Sequence, residues 1–285
     1  LSPWPEALYV LTRLESRTIS GPDNPALTIT ADPNNRITIV GKEQRDFSMQ
    51  YCGLGGGGSE ADARQRLGEG DITLDGSAVS LNNPSLPGRM TGGSLYLEAP
   101  ANALTVTHAT YSSVDVRNMR GPVRVAASHA RATIVNTTGQ VDAEALHIDF
   151  AGARGMVRLI SEGDIRLALP AKFDGTLSAE ARESVQMLVP PEFQTPFRVT
   201  VNHAEDFVCR IDLCSKVQMR TQGEKNDGQR FIFTYSGDGS APPERFSLYS
   251  TPVWISGNRA TSKVVVDNIS NVTVKIIETG PAPGQ

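Results

Sequence analysis

Residues 121–159 read GPVRVAASHARATIVNTTGQVDAEALHIDFAGARGMVRL. Within this stretch a glycine is followed two residues later by valine and then by a charged residue, three times over: Gly121/Val123/Arg124, Gly139/Val141/Asp142 and Gly155/Val157/Arg158. The glycines recur after 18 and then 16 residues. Between them aliphatic and polar residues alternate with a period of two, as on a strand buried on one side, and helical periodicity is absent. Near-constant spacing without an intervening helix predicts a coil of parallel strands, each turn stacked on the last around a column of inward aliphatics. Parallel strands joined by crossovers prefer the right hand.

A meandering sandwich is the competing architecture, since strands at this spacing also suit it. The charges favour the coil. If the three valines are equivalent, Arg124, Asp142 and Arg158 fall in one outward column about 4.8 Å apart per step, positive, negative, positive. Strand-like segments continue on both sides of the opening stretch, from ALTVTHAT at residue 103 to SVQMLVP at 190. The chain therefore reads as one all-β domain over residues 1–285, a right-handed parallel β-helix. Residues 1–69 form an N-terminal cap with first strands and a short surface helix, 70–190 the repeat core, and 191–285 a β-rich C-terminal cap.

Composition bounds the function. With 285 residues and 39% apolar content the chain can fill a core. A net charge of −4 and a pI near 5.6 leave no basic footprint, so nucleic acid and anionic membrane surfaces are not expected partners. No run of 18 apolar residues exists to span a bilayer. The opening Leu1-Ser-Pro-Trp-Pro in place of Met is expected of a trimmed chain or of one whose export signal has been removed. Three cysteines, Cys52, Cys209 and Cys214, make neither a disulfide framework nor a zinc motif. A Cys209–Cys214 bridge needs a turn that brings the two Cα atoms within about 7 Å, and the pairing stays open at this point.

One motif argues for a different class. Gly53-Leu-Gly-Gly-Gly-Gly58 has the spacing of a dinucleotide fingerprint, with a strand-like DFSMQYC before it, a helix-like SEADARQRL after it and Asp75 beyond. Only the order matches. Phe47, Met49 and Tyr51 alternate with polar residues where a buried parallel strand would be continuously aliphatic, and no second strand–helix unit follows. The expected structure is a flexible turn into a short surface helix, with Ser59 as N-cap and Glu60 and Asp62 in the first turn.

Candidate chemistry is sparse. His129 and His147 lie six residues after Val123 and Val141, so they are expected to stack on adjacent turns; the next equivalent position is Gly163, which leaves too few ligands for zinc. Asp142, Glu144, Asp149, Glu162 and Asp164 enrich the repeat in carboxylates, but Arg124, Arg158 and Arg166 accompany them, as in a solvated charge ladder. Phe231, Phe233, Tyr235, Phe246, Tyr249 and Trp254 gather near the C-terminus, where they either plug the end of the coil or offer rings to a sugar. No nucleophile, metalloprotease or P-loop motif is present, and no catalytic, cofactor-binding or metal residue is assigned.

The units GDITL (70–74), GPVRV (121–125), GQVDAE (139–144), GMVRL (155–159) and GDIRL (163–167) resemble those of the bacterial putative adhesin family, also called toastrack domains. The resemblance covers about half of the chain. It implies a right-handed single-stranded β-helix, a cell-envelope or extracytoplasmic location and no catalytic residues. The expected function is a non-catalytic scaffold or binding protein that presents repetitive faces to a protein or glycan partner, without a cofactor. A β-helix that cleaves an acidic polysaccharide is the alternative, and an envelope-stress sensor domain is a third.

Overall fold

The computed structural model describes residues 9–20, 25–75, 77–82, 90–223, 229–239, 241–250 and 252–257. The strand-like KVVVDN and NVTVKII, the PAPGQ tail, most of the PDNP cluster and part of the TQGEKNDGQ loop lie outside these residues. The protein is all-β, with one α-helix among the described residues.

The N-terminal part comprises β1 (Tyr9–Ile19), β2 (Ala26–Ala31), β3 (Asn35–Lys42), β4 (Phe47–Gly57), α1 (Glu60–Glu69), β5 (Asp71–Asp75), β6 (Ala78–Asn82) and β7 (Met90–Pro100). The middle comprises β8 (Leu104–Thr110), β9 (Ser113–Arg117), β10 (Val123–Val135), β11 (Gln140–Ala151), β12 (Arg154–Ser161), β13 (Asp164–Ala168), β14 (Asp174–Ala181) and β15 (Ser184–Val189). The C-terminal part adds β16 (Phe197–Val201), β17 (Phe207–Cys209), β18 (Gln218–Gln222), β19 (Arg230–Tyr235), β20 (Phe246–Tyr249) and β21 (Val253–Gly257).

Parallel pairing organises these strands into two ladders. The first runs β6, β2, β8, β10, β11, β12, β14, β20, β16. The second runs β7, β3, β9, β10, β11, β13, β15, β21, β17. The long strands β10 and β11 contribute to both, with a register shift between Ala127 and Arg131 of β10. Val123 pairs with Val141 and Val141 with Val157, both in parallel, which a meander of antiparallel strands does not allow. Antiparallel strands occur only outside the ladders among the described residues: β4 and β1 beyond β7, β5 beside β6, and β19 and β18 beyond β16.

The alternation read from the sequence becomes two sets of columns. Leu27, Thr105, Val123, Val141, Val157, Leu177 and Phe246 are in register and buried on the inner face of the first ladder. Val114, Ala132, Ile148, Ile165, Val185 and Val253 do the same in the second. Each fully buried Val or Leu in these columns contributes roughly 1.5–3 kcal/mol relative to exposure.

The repeated glycines have a steric cause. A Cβ on Gly139 would strike the carbonyl oxygen of Gly121, one on Gly155 would lie 2.6 Å from that of Gly139, and one on Gly175 would strike that of Gly155. Each glycine packs directly on the backbone of the previous one, and Gly155 and Gly175 also have positive φ.

The glycine-rich stretch answers differently from expectation. Gly53–Gly57 is not a flexible turn; it is the end of β4, antiparallel to both β1 and β7. A Cβ on Gly55 would strike the backbone of Leu67 and Ala63, and one on Gly57 would lie 2.6 Å from Asp62 Cβ. The glycines let α1 lie against the strand, and Arg66 donates to the Gly56 carbonyl at 2.6 Å. Ser59 does cap α1, accepting from the Asp62 amide at 3.1 Å, with Glu60 and Asp62 in the first turn.

Candidate functional site

The outward column that begins with Arg124 continues through Asp142, Arg158, Ser178, Ser247 and Arg198, one residue per strand across β10, β11, β12, β14, β20 and β16. Strand alternation turns all of these side chains away from the core. Arg158 donates to Asp142 at 3.1 Å, and both remain partly exposed. Arg124, the other cation beside Asp142, is exposed.

A short 3-10 turn, Pro243–Arg245, packs against β14, β16 and β20 and makes one wall. It forms here because Pro242 and Pro243 hold the φ that a turn entry needs. Two adjoining depressions, of about 320 Å³ and 280 Å³, flank it and share Ser178, Glu244 and Ser247. The larger adds Asp142, Arg158, Arg245 and the exposed Met156; the smaller adds Glu180, Arg198, Thr200 and Tyr249. The trough thus offers hydroxyls, charges of both signs, one thioether and one phenol on a rigid sheet. Arg230 lies over the Tyr249 ring at 5.6 Å.

The residues singled out from sequence divide between several places. Asp142 and Glu144 lie on the first ladder; Asp149 lies on the second, ion-paired to Arg131 at 3.3 Å and opposite Arg166. Glu162 is exposed after β12, and Asp164 accepts a short hydrogen bond from the Ser184 hydroxyl. His129 and His147 do not stack. The register shift puts Arg131 opposite His147, while His129, at φ 57°, stacks on Tyr111 with ring centroids 4.8 Å apart. His147 instead faces Gly163 and Asp164, with Nδ1 3.8 Å from the carboxylate. Among the described residues no group of three His, Cys, Asp or Glu side chains could hold a metal ion.

Three of the six C-terminal aromatics, Phe233, Tyr235 and Phe246, are buried in the core. Phe246 meets Phe173 and Phe193 edge-on, Phe233 stacks on Phe207, and Tyr235 packs on Phe197 and donates to the Phe193 carbonyl at 3.1 Å. Trp254 points outward and is 41% exposed, on the second ladder rather than in the trough. Cys209 and Cys214 are bridged, with Cα atoms 5.8 Å apart, and Cys52 is free. Sequence reasoning missed Ser178, Arg198, Glu244, Arg245 and Ser247; the Pro-Pro-Glu-Arg run was the one local sign of a built turn.

No protein-family model matches the sequence, and no curated protein matches it significantly. Its structural neighbours include a putative cell adhesion protein from Clostridium sporogenes, with 9% identity over 87% of this chain and 97% of that one, at a TM-score of 0.26. A putative adhesin from Bacteroides fragilis has 9% identity over 86% of this chain and 97% of its own, at 0.32. Another, from Parabacteroides merdae, has 9% identity over 62% and 90%, at 0.25. No helix among the described residues is long and apolar enough to cross a membrane.

Proposed function

We propose that the chain is a right-handed parallel β-helix that acts as a non-catalytic binding scaffold at the cell envelope or surface, presenting its first ladder to a glycan or protein partner. Support for the coil is the passage of successive strands between two parallel ladders, for which one hand is strongly preferred. The observation that carries the functional reading is the trough: an outward column in register across six strands, walled by the Pro243–Arg245 turn. Its hydroxyls and fixed charges suit a hydroxyl-rich glycan, met over an extended surface rather than engulfed. The Cys209–Cys214 bridge favours an oxidising compartment outside the cytoplasm.

Cleavage of an acidic polysaccharide has less in its favour. It needs two carboxylates converging on one bond. Of the carboxylates singled out from sequence, Asp142 is paired with Arg158, Asp149 with Arg131 on the other ladder, and Glu144 stands opposite Ile160. The test is an array of neutral and acidic oligosaccharides probed with the intact chain and with Ser178→Trp, which fills the shared floor of the trough. Binding to a glycan class that Ser178→Trp weakens at least tenfold is expected, with no fall in viscosity of uronic-acid polymers. Equal binding by the variant, or depolymerisation, would overturn the reading.

A further inference from the structure

The first strand leaves an edge. β1 pairs with β4 along all eleven of its residues, Tyr9 opposite Gly57 to Ile19 opposite Phe47, and with no other strand among the described residues. A row of amides and carbonyls left unpaired among the described residues is a template for another strand. Its outer face is apolar for a surface. Val10 is 52% and Leu14 67% exposed, and Leu54, Cys52 and Tyr96 adjoin them on β4 and β7. On the opposite face Glu15 pairs with Arg13 at 3.0 Å and with Arg17 at 2.9 Å.

We infer that β1 pairs antiparallel with β1 of a second copy, about a two-fold axis through Leu14, and joins two molecules into one continuous sheet. A two-fold normal to the sheet keeps each side chain on its own face, so the partners' residue numbers add to an even total. Centring on Leu14 uses the full strand. It sets Leu14 against its counterpart, Thr12 against Ser16, Val10 against Thr18, and Arg13 against Glu15 twice. Centring on Arg13 or Glu15 would oppose like charges, and centring on Ser16 would shorten the overlap. The strand is self-complementary in one full-length register, and its exposed leucine lies on the axis.

Sedimentation over a concentration series reads this directly. A dimer is expected for the natural chain and a monomer for Leu14→Lys, a change at an exposed position that leaves the fold intact. Arg13→Glu and Glu15→Arg each put like charges in both cross-strand pairs and should weaken self-association on the order of thirtyfold. An equimolar mixture of those two variants restores opposite charges across the axis and should recover a heterodimer at close to the original affinity, although the pair within each strand stays broken. A natural chain that is monomeric throughout overturns the proposal; β1 amides slow to exchange in that monomer would assign the edge to a segment of the same chain. A dimer indifferent to Leu14→Lys, or a mixture that gains nothing, overturns it equally.

Discussion

The middle of the molecule and its two ends are built on the same ladders by different rules. From β8 to β15 the order of stacking is the order of the chain: Val123 rests on Thr105, Val141 on Val123, Val157 on Val141 and Leu177 on Val157. At the ends the order is crossed. β2 and β3 come early in the chain yet lie inside β6 and β7, so Leu27 faces Thr105; β20 and β21 follow β16 and β17 in the chain yet lie inside them, so Leu177 faces Phe246. Stacking in the middle is secured locally by a repeated glycine and a column of valines. At the ends pairing is non-local, closing long loops before it is rewarded, and larger specific contacts such as the Phe173, Phe193 and Phe246 cluster carry it.

The comparison breaks first at the glycines. Gly139→Ala places a methyl against the Gly121 carbonyl within the stack, where both partners are backbone and neither can move alone. It should cost about 3 kcal/mol or more and lower the urea midpoint of the whole molecule. Gly68→Ala, in α1 with nothing within 4 Å of the added Cβ, should instead gain about 0.5–1 kcal/mol as helix propensity dictates. Equal effects at the two sites would mean that the glycine column is not what sets the spacing of the parallel strands.

What could be read from the sequence follows the same division. The pairing of Val123, Val141 and Val157, and the outward Arg124, Asp142 and Arg158, were legible because period-two alternation and a recurring glycine report on the same neighbour. The histidine stack failed for a local reason: His129 adopts a positive φ at a bulge, which shifts the register before His147. The burial of β2 and β3 within the stack left no periodic trace, since ALTIT and RITIV read alike in a terminal or an inserted position. The trough was invisible for the same reason, because Ser178 and Ser247 become neighbours only through the insertion of β20. The role of the glycine run was hidden too: packing a helix on a strand and binding a phosphate both call for residues without a side chain.

A smaller effect separates the C-terminal end from the middle. The Cys209–Cys214 bridge closes a short loop beside β17, which pairs only with β21 among the described residues. Reduction should cost about 2 kcal/mol by the loop-entropy relation. Amides of β17 and β21 should then exchange faster while those of β10 and β11 keep their protection, because the middle strands retain neighbours on both sides. Uniform loss of protection would show that the end and the middle unfold as one unit.

The N-terminal end supplies the smallest and most specific signal. Tyr51 is fully buried under the glycines of β4 and β7, its ring against Gly93, and its hydroxyl has no hydrogen-bond partner among the described residues. Burial raises its pKa above the usual value near 10; nearby Arg13 opposes this, while Cys52, Glu15 and Asp71 reinforce it. The folded state therefore favours the neutral phenol. That contribution is fully present below about pH 10 and is lost as the pH rises from there towards the folded-state value, as ionisation draws the chain towards the unfolded form. Tyr51→Phe should lie within about 1 kcal/mol of the natural chain at pH 7, since no hydrogen bond is lost. Its stability should fall less steeply between pH 10 and 11 than that of the natural chain, with Tyr96, whose pKa is also raised by burial and by Glu98, contributing equally to both. Parallel pH profiles for the two proteins would mean that the Tyr51 hydroxyl reaches water when the N-terminal end breathes, and that this end opens well before the valine columns do.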